Sequence, residues 1–336
     1  MKPSILKPGD TIGIVSPSWG GGALFPHRVR RGQEFLESLG FRVIMAEHAL
    51  SRRGWLSGTS EERAADLHQM FKDPRVKAII ATIGGDHSCH LLPLLDFELI
   101  RDNPKVFMGF SDITVLSIAI HVKTDLVVFN GPSLMADLAE YPEPLPYTRE
   151  YLLKALMRPE PIGVVTSAPA WTDEFLDWGT RADLTRPRRL QQSSGWIWLK
   201  PGRATGRLIG GCLESLEHLR GTPYWPDLSG AILFLETSEE KPSPARIDAM
   251  LMDYENMGVL GSINGLLFAR PYGYSADEVR ELHGVILERT RRYDFPVIAD
   301  MDFGHTSPML TLPIGVQAEI DSTSEHFVIS EAAVEA

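Results

Sequence analysis

The first half of the chain alternates short, uninterrupted apolar runs with amphipathic stretches of helical length, and nothing else in the sequence restricts the fold so strongly. Residues 11–16, 41–45, 76–83 and 106–110 are rich in β-branched and aromatic side chains and show no in–out alternation. Between them, apolar residues recur at helical spacing over 27–39, 60–71 and 113–122, with Gly40 closing the first stretch and Ser60, Glu61 and Glu62 opening the second. A serine followed by carboxylates satisfies the free N–H groups and the dipole at a helix start. Buried strands separated by helices imply a parallel sheet covered on both faces.

From Tyr141 to Leu199 this rhythm breaks, and prolines, tryptophans and polar residues crowd together without a clear period. The stretch reads as a connecting region and lid. Beyond Gly206, strands are expected at 231–235, 265–269, 297–299 and 316–320, with helices at 245–257 and 276–291. These form a second, smaller α/β domain whose carboxyl-terminal strands are more barrel-like. With 336 residues the chain exceeds what one core organises, so the expected division is a domain at 1–150, a connecting region at 151–200 and a domain at 201–336.

Charge and composition exclude several classes of function. The 44 acidic side chains outnumber the 33 basic ones, giving a formal net charge of -11, and no cluster of Lys and Arg offers the cationic face that nucleic acid needs. Cys89 and Cys212 can build neither a disulfide framework nor a cysteine zinc site. No secretory signal is visible and the apolar runs are too short to cross a bilayer, so a cytoplasmic protein without a membrane partner is expected. His87 and His90 near Asp86 are spaced suggestively but form no convincing ligand set. Neither a metal nor a cofactor is expected.

Three stretches could carry chemistry. In Met108-Gly109-Phe110-Ser111-Asp112-Ile113-Thr114 a strand ends in Gly-x-Ser and a helix begins at once, which would project a serine hydroxyl from the carboxyl edge of the sheet. A helix-capping role for Ser111 fits the same residues. Gly84-Gly85-Asp86-His87 follows the preceding strand, so it should face the same crevice, where Gly85 could offer a bare N–H to an oxyanion or serve only a tight turn. A serine nucleophile needs a base, and the base needs an orienting group. Among ten histidines, His305 stands out because it lies in a loop directly after a strand. Glu236 ends the apolar strand at 231–235, where an acid wants a partner such as histidine, although a capping or solvated role is open to it as well.

Taken together, Met108-Gly-Phe-Ser111-Asp112-Ile-Thr, Phe234-Leu-Glu236-Thr and Phe303-Gly-His305-Thr, with Ile83-Gly-Gly-Asp86 and the segment from Gly206 to Glu214, resemble the LD-carboxypeptidase family of serine peptidases. The likeness spans almost the whole chain. It implies a flavodoxin-like amino-terminal domain, a smaller carboxyl-terminal domain and an active site between them. It further implies a triad of Ser111 as nucleophile, His305 as general base and acid, and Glu236 as the group orienting the imidazole. The main-chain N–H groups of Gly85 and Asp112 would form the oxyanion hole, and a homodimer is implied as well.

Two branches of this family use the same machinery. Murein LD-carboxypeptidases release a terminal D-alanine from the cell-wall tetrapeptide, whereas microcin C immunity peptidases cut the amide joining a peptidyl or aminoacyl group to a nucleotide-like moiety. Trp171-Thr-Asp173-Glu174-Phe-Leu-Asp177-Trp178 and Gly195-Trp196-Ile-Trp198 resemble the immunity branch, in which an aromatic side chain of this region stacks on adenine. Trp178 is the leading candidate, with Trp171, Trp196 and Trp198 as alternatives. Clustered tryptophans could equally anchor an irregular segment. The expected partner is a small peptide or aminoacyl-nucleotide substrate, and a non-catalytic binding protein is the contrasting possibility.

Overall fold

A computed structural model describes residues 1–336 and divides their strands between two main sheets. The first has six strands, in the spatial order Leu312–Ile314, Val128–Asn130, Val106–Gly109, Val76–Ala81, Thr11–Val15 and Arg42–Met45. Five are parallel, and only the edge strand Leu312–Ile314 runs against its neighbour. Their order in the sheet reverses between Thr11–Val15 and Val76–Ala81, and ligands of open α/β sheets bind at the carboxyl ends of strands flanking such a point. All residues of Thr11–Val15 and Val106–Gly109 are buried, as expected for runs covered on both faces.

Helix Pro26–Ser38 starts with proline at its first position, and Ser60–Lys72 starts with a capping box in which Thr59 accepts from the Glu62 N–H. The sequence suggests Ser60 as the opening residue; Thr59 takes the cap because its side-chain oxygen reaches the N–H three residues on. Helix Ile113–Thr124 differs from these amphipathic helices. Ten of its twelve residues are buried, since it packs on the first sheet and also meets the strand Arg203–Cys212 of the second.

The second sheet has eight strands. Its four central ones, Arg203–Cys212, Ile232–Glu236, Gly265–Ala269 and Val297–Met301, are parallel; the flanking pairs are antiparallel. Helices Pro244–Asn256 and Ala276–Thr290 cover it, both capped by a serine. The stretch that lacked periodicity contributes the helix Pro146–Met157 and two edge strands of this sheet, Gly163–Val165 and Ile197–Lys200. Its prolines mislead: Pro146 occupies the first turn, where a missing N–H costs nothing. No helix is long and apolar enough to cross a membrane.

Candidate active site

Ser111 occupies the turn between strand Val106–Gly109 and helix Ile113–Thr124 with φ at 60°, in the left-handed region. A residue with a Cβ pays about 1–2 kcal/mol there, so a plain helix cap has no reason to adopt it. The strained turn lifts the hydroxyl away from the helix start, and no side-chain cap is in fact made at this terminus. Gly84 permits the approach from the neighbouring loop: a Cβ on it would stand 2.8 Å from Ser111 Cβ and 2.9 Å from its Oγ.

The Asp112 side chain organises the facing loop. It is almost fully buried and accepts from the N–H groups of His87 and Ser88 and from the Ser88 hydroxyl, at 2.8–3.0 Å. Trp19 N–H donates to the Gly84 carbonyl, fixing the other side of the same loop. The main-chain N–H groups of Gly85 and Asp112, by contrast, donate to no acceptor in the protein. Two free donors beside the serine make a place where negative charge is favourable.

Glu236, at the end of strand Ile232–Glu236, meets His305 from the loop after strand Val297–Met301 of the same sheet. Glu236 is wholly buried, and its Oε2 accepts from His305 Nδ1 at 2.6 Å. The contact depends on Gly304, with φ at 84°, because a Cβ there would come within 2.7 Å of Glu236 Cβ. His305 in turn packs the edge of Phe110, the residue before the serine, with ring centroids 5.0 Å apart. Its loop is tied down by Asp302, which accepts from Arg270, the Ala168 N–H and the Trp196 indole. Thr172 and Ser307 exchange backbone hydrogen bonds at 2.7 and 2.9 Å and clamp the loop to the connecting region.

His305 Nε2 does not bond Ser111. It lies 2.9 Å from Oε2 of Glu239, a residue whose side chain is 63% exposed. Burial alone would lower the imidazole pKa, but the charges and hydrogen bonds of Glu236 and Glu239 outweigh it and hold the pKa well above its ordinary value. The imidazolium in return holds Glu239 down at about 2. In this arrangement the histidine is protonated and gripped at both nitrogens. Glu239 escaped the sequence reading because Thr237-Ser238-Glu239-Glu240 looks like an ordinary solvated turn. Glu214 turns it inward by accepting from the Ser238 N–H and hydroxyl.

Ser111, Gly85, His305, Glu239 and Trp178 line one cavity of about 810 Å³. Trp178 stands against Phe25, 5.5 Å away and edge-on, with the Arg28 guanidinium 4.7 Å from its ring centroid. Phe175 and Trp55, respectively 59% and 64% exposed, add aromatic surface to the lining. Nothing around Trp55 in the sequence distinguishes it from a surface aromatic. Trp171 and Trp196 lie outside this lining. Arg270 covers Trp171, its guanidinium 4.6 Å from the ring centroid, and Trp196 is spent on Asp302, so both anchor the segment. Trp198 belongs to the edge strand Ile197–Lys200.

Residues 12–131 match the model of the LD-carboxypeptidase N-terminal domain and residues 205–320 that of the LD-carboxypeptidase C-terminal domain. The chain belongs to the LD-carboxypeptidase family. This member is 34% identical over 329 residues to the microcin C7 self-immunity protein MccF of Escherichia coli, covering 97% of this chain and 94% of that one. It is 32% identical to a probable murein peptide carboxypeptidase of Bacillus subtilis, over 99% and 95% of the two chains. Its fold superposes on the solved structure of MccF in complex with aspartyl sulfamoyl adenosine with a TM-score of 0.90, at 31% identity and over the full length of both chains. This LD-carboxypeptidase family member is a serine hydrolase of the carboxypeptidase type, not a mere binding module.

Proposed function

We propose that this enzyme hydrolyses the amide bond between an aminoacyl or peptidyl group and a nucleotide-like moiety, using Ser111, His305 and Glu236 as a triad. The observation that carries the proposal is the shared cavity, which combines the strained serine, the Glu236–His305 pair and an aromatic wall at Trp178. A nucleobase offers a π-face to such a wall, and stacking contributes about 1–3 kcal/mol per base. The relative solved with an aminoacyl sulfamoyl nucleoside supports the same choice of substrate.

In the proposed reaction, Glu239 swings away from Nε2 and His305 releases its extra proton from Nε2 to solvent. The neutral imidazole then takes the Ser111 proton as Oγ attacks the amide carbonyl. Gly85 and Asp112 N–H groups hold the oxyanion, each worth about 2.7–4 kcal/mol of barrier in comparable sites. Glu236 keeps the imidazolium oriented while it protonates the leaving amine, and water activated by His305 releases the acyl group. A homodimer, implied by the family, completes the proposal, and sedimentation velocity would reveal a monomer if it is wrong.

A side-by-side assay of an aminoacyl sulfamoyl adenosine and a murein tetrapeptide tests the substrate. Faster turnover of the nucleoside, weakened by Trp178→Ala, is expected. The likeness to the Bacillus subtilis protein favours the murein reading, which preferential release of D-alanine would establish instead. Ser111→Ala should cost about 10⁴-fold or more in kcat in either case while preserving the fold. Near-native turnover by this variant would remove Ser111 from its role.

A further inference from the structure

The charge lining the cavity is lopsided. Seven carboxylates and two arginines line it, and no lysine does. Both arginines are already engaged, Arg28 with Asp183 and Arg188 with Glu140, and Glu174 is held by Arg186 from outside the lining. Of the other four carboxylates, Asp86, Asp137 and Asp177 form no salt bridge, and Glu239 pairs only with the histidine. Asp137 is 7% exposed and is pushed up to about 6 by burial, which outweighs the opposing charge of Arg188, the Ser133 N–H and the smaller effect of His305.

A substrate placed as proposed above meets this charge with one particular part. Trp178 belongs with Phe25, Arg28 and Asp183, whereas Glu239 belongs with His305 and faces Tyr272. With the scissile carbonyl at Ser111 and a base against Trp178, the acyl group is directed to the remaining region, where Glu239 stands. An aspartyl or glutamyl side chain there would meet like charge. A lysyl or ornithyl ammonium would find a carboxylate that is exposed and ionised.

We infer that Glu239 is a specificity-determining residue that selects acyl groups carrying a basic side chain and, on pairing with that ammonium, leaves His305 Nε2 free for Ser111. The inference deepens the proposed function and rests on it for the placement of the acyl group. Substrate binding and release of the base thereby become one event: the cation that satisfies Glu239 removes the imidazolium's second partner. The relative solved with aspartyl sulfamoyl adenosine binds an acidic acyl group, so this chain should differ from it in acyl preference.

The test compares kcat/KM for lysyl, alanyl and aspartyl sulfamoyl adenosine and, in parallel, for L-lysyl-, L-alanyl- and L-aspartyl-D-alanine. At least a tenfold preference for lysyl over aspartyl is expected in whichever series is cleaved. Glu239→Gln should collapse that ratio toward one, and Glu239→Lys should invert it. Lysyl preference confined to the D-alanine series would overturn the nucleotide leaving group and keep the role of Glu239. Equal rates, aspartyl preference, or a ratio indifferent to both substitutions would overturn the role of Glu239 even if nucleosides are cleaved. Absence of cleavage in both series would overturn both.

Discussion

At the level of single residues, the charge on His305 decides how activity should vary with pH. Glu236 behind it, Glu239 at its outer nitrogen and the nearby Asp137 are the charged groups that face it. In the proposed mechanism His305 is the general base and must be neutral, so kcat/KM should rise along a limb lying above the ordinary histidine range. Glu239→Gln removes the charge and leaves at most a weaker, neutral hydrogen bond, so the imidazole pKa falls and the limb should move to lower pH, as a pH–rate profile would record. The pair also links stability to pH. A raised histidine stabilises fully below its unfolded value of 6.5 and loses that contribution as pH rises through the folded pKa; a depressed Glu239 stabilises above 4.5 and loses it as pH falls through about 2. The wild-type advantage over Glu239→Gln should therefore be largest between about pH 4.5 and 6.5, measured by denaturant unfolding. Gly304 offers a separate check. Gly304→Ala and Gly9→Ala both place a Cβ at positive φ, yet only the first would strike another atom, at Glu236, while Gly9 has nothing within 4 Å. Each should cost roughly 1 kcal/mol in backbone strain, but only Gly304→Ala should also lower kcat, by about 10²-fold or more if the Glu236–His305 contact is lost. Ser111, Glu236 and His305 were conspicuous in sequence as candidates, because Glu236 ends an apolar strand and the other two lie in loops that follow one. Glu239 was not, since its role comes from a turn folded back by Glu214, 25 residues earlier in the chain.

Elements hold these residues at working distance, and the loop after strand Val297–Met301 shows how. Asp302 is wholly buried and gathers Arg270, the Ala168 N–H and the Trp196 indole, so one carboxylate joins three segments behind His305. Removing one partner of a buried ion pair leaves the other charge uncompensated, which costs about 3–5 kcal/mol. Asp302→Ala should destabilise the protein by that amount, and Asp302→Ala with Arg270→Met should recover part of it, read from urea unfolding midpoints. A double variant no more stable than the single one would show that the pair is not the anchor. The same loop explains why the connecting region resisted interpretation. Its tryptophans divide between two jobs, Trp196 and Trp171 bracing Asp302 and Arg270 while Trp178 faces the cavity, and sequence spacing does not distinguish an indole that donates to a buried carboxylate from one that lines a pocket. Its helix Pro146–Met157 was hidden by Pro142, Pro144 and Pro146, which look like breakers until the last is placed in a first turn. Most strands of the parallel sheets, by contrast, were read to within a few residues, because a strand buried on both faces must be apolar throughout; Val128–Asn130 was missed for its three-residue length, and Arg203–Cys212 for its glycines and polar first half.

Across the whole molecule, the two sheets are bound together by exchange of elements rather than by simple contact. Strand Leu312–Ile314 leaves the loop of His305 and completes the edge of the first sheet by pairing with Val128–Asn130, and the chain then returns to the second sheet at Gln317–Asp321. Helix Ile113–Thr124, which carries the Ser111 turn, packs on the first sheet while Thr114 Oγ1 accepts from the Cys212 N–H of the second. One continuous apolar core includes side chains from both sheets. The proposed catalysis by Ser111 and the Glu236–His305 pair, one from each sheet, would demand such rigidity, since a misplacement of about 1 Å can cost 10²-fold in rate. A chain of this length would commonly unfold domain by domain, but exchanged strands couple the two stabilities. Calorimetry should therefore give one endotherm whose van't Hoff enthalpy approaches the calorimetric value. Pro313→Gly should weaken the crossing strand by loosening its backbone, lowering the midpoint while keeping one transition at first. Two resolved endotherms in the wild type, with Ser111 activity surviving the first, would show instead that the halves fold independently and that the shared strand is incidental to the site.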